Sequence, residues 1–286
     1  MEKLYGTGVA LVTPFTNEGL VDYDGLKRVL DFTALGVDYF VVMGTTGEVA
    51  TVTRSEKKAV LAFARANNPK NLPIVYGIGG NNTAAVIEEI KDTDLKGVDA
   101  ILSVSPYYNK PSQRGIVAHF KAIADASPVP VILYNVPGRT MSNMTAETTL
   151  ELAKHPNIIG MKEASGNLEQ CKAIADGKPE DFLLLSGEDL LTDEIIKLGG
   201  KGVISVLANG FPEEFSSISK LALNGDFEGA KKITKSFKEI NPLMYAESNP
   251  VGVKEVLRLK EICGNQVRLP LVSASDELQK QIADLV

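Results

Sequence analysis

Short apolar runs alternate with stretches of helical period along most of this chain. The runs fall at residues 8–13, 39–43, 74–78, 100–104, 131–134, 158–162, 182–186 and 202–207. Their near-continuous apolar character predicts strands buried on both faces, as in a parallel sheet covered by helices. Between them, apolar residues recur three and four apart, predicting amphipathic helices over 24–35, 55–66, 83–95, 115–126, 146–153, 168–175 and 190–198. Thr53 or Ser55 is the expected cap of the second helix, and Asn81 or Thr83 that of the third. The segments Leu35-Gly36-Val37-Asp38, Lys96-Gly97-Val98-Asp99 and Leu198-Gly199-Gly200-Lys201-Gly202-Val203 echo one another. Each predicts a helix ended by a left-handed glycine just before a strand begins.

Eight strand–helix units within about 210 residues predict an α/β fold of the (β/α)₈ TIM-barrel type. A doubly wound open sheet is the alternative, but the polar motifs follow many strands rather than one switch point. From Pro212 onward the pattern turns helical, over 212–224, 226–245, 249–263 and 275–285. One of these completes the barrel and the rest exceed its needs. The expected organisation is a catalytic barrel over 1–225 and an additional C-terminal helical segment over 226–286, joined without a Gly-, Pro- or Ser-rich linker.

Composition narrows the functional classes. The 286 residues include 30 basic and 36 acidic side chains, a formal net charge of −6, with no basic block suited to nucleic acid. Two cysteines, Cys171 and Cys263, make neither a disulfide framework nor a CxxC metal site; Cys171 is expected as a small helix-face residue and Cys263 near the Gly264 turn, with no mate for either. His119 and His155 are not clustered with other ligand types, so zinc is not expected, and packing or surface roles are. Met1–Gly6 lacks the basic-then-apolar shape of a signal peptide, and no window approaches the roughly 20 apolar residues of a membrane span. A cytoplasmic protein with no membrane partner is the expectation.

Barrel enzymes carry their active sites at the C-terminal ends of the strands. The second run is followed by Gly44-Thr45-Thr46-Gly47-Glu48, whose exposed N–H groups suit a carboxylate or phosphate. The third ends in Gly77-Ile78-Gly79-Gly80-Asn81, which lacks the last spaced glycine of a dinucleotide loop. The fourth ends in Ser105-Pro106-Tyr107-Tyr108-Asn109, and the fifth in Tyr134-Asn135-Val136-Pro137-Gly138-Arg139-Thr140. The sixth closes on Lys162. Such a lysine either snorkels to solvent or, with its proton driven off by burial, serves as an amine nucleophile toward a carbonyl. The seventh gives Ser186-Gly187-Glu188-Asp189 and the eighth Ser205-Val206-Leu207-Ala208-Asn209. One mouth would then gather an amine, hydroxyls, phenols and a guanidinium. Imine formation consumes and releases protons, and Tyr134 with Thr45 supplies a relay. The class inferred from these residues is Schiff-base aldol chemistry on an oxo acid, with Arg139 free for a second carboxylate.

The motifs at Gly44–Glu48, Pro106-Tyr107-Tyr108-Asn109, Tyr134–Thr140 and Gly160-Met161-Lys162-Glu163 resemble those of the dihydrodipicolinate synthases, also called 4-hydroxy-tetrahydrodipicolinate synthases. These are pyruvate-dependent class I aldolases, a family that includes N-acetylneuraminate lyase. The resemblance runs through Ser186-Gly187, Gly202-Val203-Ile204-Ser205 and Asn249-Pro250, almost the whole chain. It implies that Lys162 forms the Schiff base with pyruvate, with no other cofactor, and that Tyr134 moves protons through Thr45 and Tyr108. Tyr108 would reach into a neighbouring subunit's site, implying a homo-oligomer, dimer or tetramer. Thr46, Ile204 and Gly187 would help hold substrate, and Arg139 would take the carboxylate of L-aspartate 4-semialdehyde. The implied reaction is the lyase-class entry step of the diaminopimelate route to lysine.

Two rival readings stand beside this one. A sugar-acid aldolase such as a sialic-acid lyase would leave Arg139 unpaired against a polyol. A non-catalytic metabolite sensor would have no need of the set Thr45, Tyr108, Tyr134 and Lys162. One departure also stands out. Where lysine-inhibited members carry a serine, two histidines and a glutamate, this chain has Val49, Arg54, Lys57 and Ala85, although Asn81 and Tyr107 still match. Losing an acid and gaining cations predicts weak or absent feedback inhibition by lysine.

Overall fold

A computed structural model describes residues 1–286. Eight parallel strands close into a barrel in sequence order: β1 (Gly6–Ala10), β2 (Tyr39–Val42), β3 (Ile74–Gly77), β4 (Ala100–Val104), β5 (Val131–Asn135), β6 (Ile158–Glu163), β7 (Leu183–Ser186) and β8 (Gly202–Ser205). β8 returns to β1, so no strand edge is left unpaired. Around the barrel run α1 (Tyr23–Thr33), α2 (Arg54–Ala66), α3 (Thr83–Asp92), α4 (Gln113–Ala126), α5 (Pro137–Thr140), α6 (Ala146–Leu152), α7 (Leu168–Gly177), α8 (Thr192–Lys197) and α9 (Pro212–Leu223). Four more follow: α10 (Phe227–Ser236), α11 (Ile240–Leu243), α12 (Val251–Leu259) and α13 (Asp276–Ala283). No helix is long and apolar enough to cross a membrane.

The strand periodicity divides the core in two. Alternate residues such as Tyr39, Val41, Val75, Ile132, Leu185 and Ile204 fill the barrel, while a larger cluster lies between the strands and the helices. All eight apolar runs contain strands, but two runs overshoot their strands by two or more residues. The Leu11 N–H still bonds to the Val41 carbonyl, but the ladder ends there because the Asn209 side chain takes the Ala10 carbonyl at 2.8 Å and the Val12 N–H at 3.1 Å. β8 stops at Ser205 because Val206 and Leu207 donate their N–H groups to Asp189 Oδ2, at 3.1 and 2.8 Å.

Helix ends differ from expectation for similar local reasons. α2 starts at Thr53 with a reciprocal capping box to Glu56, as expected. α3 is capped by Asn82 rather than Asn81 or Thr83, its Oδ1 accepting from the Ala85 N–H at 3.3 Å. The helix expected over 226–245 breaks into α10 and α11. Pro242 lacks an N–H and its ring would collide with a carbonyl one turn back, so it is tolerated in the first turn of α11 but not in a helix continued from α10. Gly97 and Gly199 have positive φ, at 76° and 105°, as the echoed segments imply. Gly36 does not. It is needed for close packing, since a Cβ there would lie 2.2 Å from the Pro212 carbonyl oxygen on α9.

Candidate active site

A cavity of about 470 Å³ opens at the C-terminal end of the barrel. β5 and β6 run in register, pairing Tyr134 with Lys162, and both side chains point inward. The Lys162 Nζ stands 4.6 Å from the centre of the Tyr134 ring, and Lys162 is only 6% exposed. It does not snorkel. The apolar strand holds the amine at the cavity wall beside a phenol.

The turn after β2 is one 3₁₀ turn, Thr45–Gly47, entered from an extended Gly44 and left through Glu48 at φ 55°. Thr45 and Thr46 both line the cavity. Asn249 Nδ2 donates to Thr46 Oγ1 at 3.0 Å, and Thr13 Oγ1 donates to the Gly47 carbonyl at 2.8 Å, so the turn is held from two sides. Arg139 sits on the four-residue α5, exposed at the rim of the cavity. Gly187 follows β7 at the wall; its N–H donates to the Glu163 carbonyl at 2.7 Å, and a Cβ would come 2.4 Å from that of Ala164.

Two expected site residues stand apart from this group. Ile204 is fully buried inside the barrel, and Val206 is the β8-side residue that lines the cavity. Tyr108 is 88% exposed, with φ 70°, and does not line the cavity of its own chain.

Several wall residues escaped sequence reasoning. Asn241, Tyr245, Ser248 and Asn249, all from the stretch between α10 and α12, close one side of the mouth. Asn249-Pro250 was visible as a motif but carried no assigned role. Glu188 also faces the cavity, and burial, helped by neighbouring Asp189, raises its pKa, with Lys162 and Arg139 pulling the other way. Burial likewise raises the Tyr245 phenol. Behind the substrate turn lies a buried ion pair, Lys254 to Glu48 at 2.5 Å. Lys254 also donates to the Gln266 carbonyl at 2.7 Å and lies over the Phe15 ring. Its sequence signal was a lysine among Val253, Val256 and Leu257 on an otherwise apolar helix face.

A narrow side cavity of about 50 Å³ runs behind Thr45 and Tyr134 to Val49, Lys57 and Glu89. Lys57 pairs with Glu89 at 3.2 Å and Arg54 with Glu88 at 3.6 Å, while Ala85 lies in the first turn of α3. No group of three His, Cys, Asp or Glu side chains comes together to hold a metal ion. Burial pushes both cysteine thiols up to about 12. His119 is buried under α3, its Nδ1 2.8 Å from Thr83 Oγ1, whereas His155 pairs with Asp125 at the surface.

Comparison with known proteins follows the same outline. Residues 3–286 match the model of the Dihydrodipicolinate synthetase family. The 4-hydroxy-tetrahydrodipicolinate synthase of Cytophaga hutchinsonii is 52% identical over 283 residues, covering 99% of this chain and 95% of the relative. That of Flavobacterium psychrophilum is 48% identical over 284 residues, covering 99% and 97%. The crystal structure of dihydrodipicolinate synthase from Thermotoga maritima superposes with a TM-score of 0.95 at 31% identity, covering 98% of this chain and 97% of that one. With a barrel whose sixth strand delivers a buried lysine beside a phenol, and with a match from Lys3 to Val286, this chain belongs to the dihydrodipicolinate synthetase family.

Proposed function

We propose that this protein is a lyase that condenses pyruvate with L-aspartate 4-semialdehyde through a Schiff base on Lys162, giving 4-hydroxy-tetrahydrodipicolinate. This is the first committed step of the diaminopimelate route to lysine. The observation that carries the reading is the buried Lys162 amine, 4.6 Å from the Tyr134 ring in a cavity that Arg139 also lines.

The Lys162 amine adds to C2 of pyruvate, and Tyr134 gives its phenolic proton to the departing hydroxyl, which leaves as water, so that an iminium and a phenolate remain. A methyl proton passes to Tyr134, giving an enamine whose carbon attacks the aldehyde of the second substrate. Tyr134 returns the proton to the new oxygen. The amine of the added unit then attacks the iminium carbon and expels the Lys162 amine as the ring closes, and the proton the new ring nitrogen sheds restores the Tyr134 phenol. The covalent imine acts as the electron sink, so the scheme calls for no bound cofactor. Thr45 extends the proton path from Tyr134, and Thr46 and Gly187 face the same cavity as the imine. We assign Ile204 a supporting role through its backbone, because its side chain lies in the barrel core below the cavity.

Arg139, at the rim, suits the carboxylate of the aldehyde substrate, which must enter over the imine. Tyr108 is assigned to the relay of a neighbouring subunit. Its exposure and its place outside its own cavity fit that assignment, and the active form is then at least a dimer. Barrel residues 1–225 carry the chemistry, and segment 226–286 contributes wall residues that close the mouth.

The test is borohydride reduction in the presence of pyruvate, followed by peptide mass analysis. The expected result is one reduced pyruvyl adduct, on Lys162, absent in Lys162→Ala. An adduct elsewhere, or none, refutes the scheme. Assays with N-acetylneuraminate in place of the two substrates should show no cleavage; efficient cleavage would make the protein a sugar-acid aldolase.

A further inference from the structure

Lys162 and Tyr134 each have an immediate successor that points the opposite way. Strand alternation sends Glu163 and Asn135 to the outer face of the barrel, and the register that pairs Tyr134 with Lys162 also pairs Asn135 with Glu163. Both are buried, Glu163 to 1% exposure and Asn135 completely. The Glu163 carboxylate has no cation beside it. Its oxygens accept from three neutral donors: the Ser165 N–H at 2.7 Å, Gln170 Nε2 at 2.8 Å and Asn135 Nδ2 at 3.0 Å. Asn135 in turn donates to Asn143 Oδ1 at 2.7 Å and accepts from the Met144 N–H at 3.0 Å. Asn143 and Met144 end the excursion that carries Arg139.

Stability alone gives no reason for this arrangement. A carboxylate taken from water without a counter-ion is costly, and apolar side chains of similar volume commonly serve a fold as well or better. What the arrangement does supply is geometry. The two strand ends that bear the amine and the phenol are joined on their outer face by a hydrogen bond between adjacent residues. The same pair holds the return of the Arg139 loop. We infer that Glu163 and Asn135 are positioning residues: their buried pair fixes the spacing of Lys162 and Tyr134 on the inner face and, through Asn143 and Met144, the placement of Arg139. The inference rests on the roles proposed above for those three residues.

The test compares Glu163→Gln, Asn135→Asp and the double variant. An amide at 163 turns an NH₂ toward groups that themselves donate, and an acid at 135 turns an oxygen toward the Glu163 carboxylate. In the double variant the new amide at 163 donates to the new carboxylate at 135, and the amide oxygen still accepts from the Ser165 N–H. The link is thereby rebuilt with reversed polarity. Each single variant should lower kcat, and the rate of borohydride-trappable imine formation at saturating pyruvate, by about ten- to a hundred-fold, as sub-ångström misplacement of reacting groups does. The KM for pyruvate should move by less than about three-fold, because substrate-holding groups are untouched. The double variant should recover at least about ten-fold in rate over the poorer single variant, the mark of direct coupling.

Single variants that melt earlier yet react at the wild-type rate would overturn the inference. So would a double variant no faster than the product of the two single effects predicts. If Glu163→Gln does not fold, Gln170→Leu removes one of the three donors at a half-buried position. It should lower kcat about three-fold and raise the KM for the aldehyde; unchanged kinetics would overturn the inference. A wild-type protein that traps no pyruvate on Lys162 refutes the site itself and this inference with it. A wild-type adduct with unimpaired variants refutes this inference alone.

Discussion

Tyr134 presents its ring to the Lys162 amine from the neighbouring strand, so the phenol's packing and its proton chemistry are separable. Tyr134→Phe keeps the ring and removes only the proton carrier. It should lower kcat by about 10²- to 10⁴-fold with a melting temperature near that of the wild type; a rate within a few-fold of wild type would remove Tyr134 from the relay. Arg139 stands at the rim rather than the floor. Arg139→Ala should therefore raise the KM for the aldehyde by at least about ten-fold, as loss of a charge-assisted pair does, and leave pyruvate trapping intact. Impaired trapping would place Arg139 at the pyruvate carboxylate instead. These residues were legible in the sequence because each ends an apolar run or lies just past one, where barrel geometry leaves little choice of destination. Tyr245 was not. Glu188 lies just past the seventh run but was given no role there, and nothing local tells a tyrosine in the turn after α11 that it will face a cavity built by strand ends from Ala10 to Val206.

At the scale of elements, the turn Thr45–Gly47 is a single helical turn with little internal bonding of its own. Besides the bonds from Asn249 and Thr13, it is held through the anchoring of the next residue, Glu48. That carboxylate accepts from Lys254 on α12 and from the Arg268 N–H at 2.9 Å, and Arg268 reaches back to Glu56 at the start of α2 and to the Gly19 carbonyl. Lys254→Met leaves Glu48 buried without a cation and should cost about 3–5 kcal/mol of unfolding free energy in urea titrations. Adding Glu48→Gln to it should return part of that loss. A cost below about 1 kcal/mol would rank this pair with exposed surface bridges. Element existence was readable from periodicity, and all eight strands lie within or against their apolar runs. Element ends were not. They were fixed by side chains distant in sequence, such as Asp189 drawing Val206 and Leu207 out of the ladder and Asn209 taking the Val12 N–H.

Across the whole molecule, the region expected to distinguish this chain from lysine-inhibited relatives is an ion-paired seam between α2 and α3. Its cations do not stand free: Lys57 holds Glu89, and Arg54 holds Glu88. The acid that lines the side cavity is thus already taken by an ammonium of the chain itself, and this pairing is the physical ground for expecting weak lysine binding. Titration with lysine should leave the rate at saturating pyruvate within about two-fold of its starting value at concentrations that saturate ordinary amino-acid sites, on the order of 1 mM. Half-inhibition below about 0.1 mM would show that the seam opens to admit it. The closure of the mouth by the late helices also bears on how the protein comes into being. The substrate turn is made early in synthesis, whereas Lys254 comes 206 residues after Glu48 and Arg268 comes 220 after it. A nascent chain has all eight strands once Ser205 emerges, yet Asn249, Lys254 and Arg268 are still to come. Catalytic competence therefore waits until Arg268 has emerged, and a chain cut short before Asn249 is a barrel whose substrate turn has lost all of its late anchors.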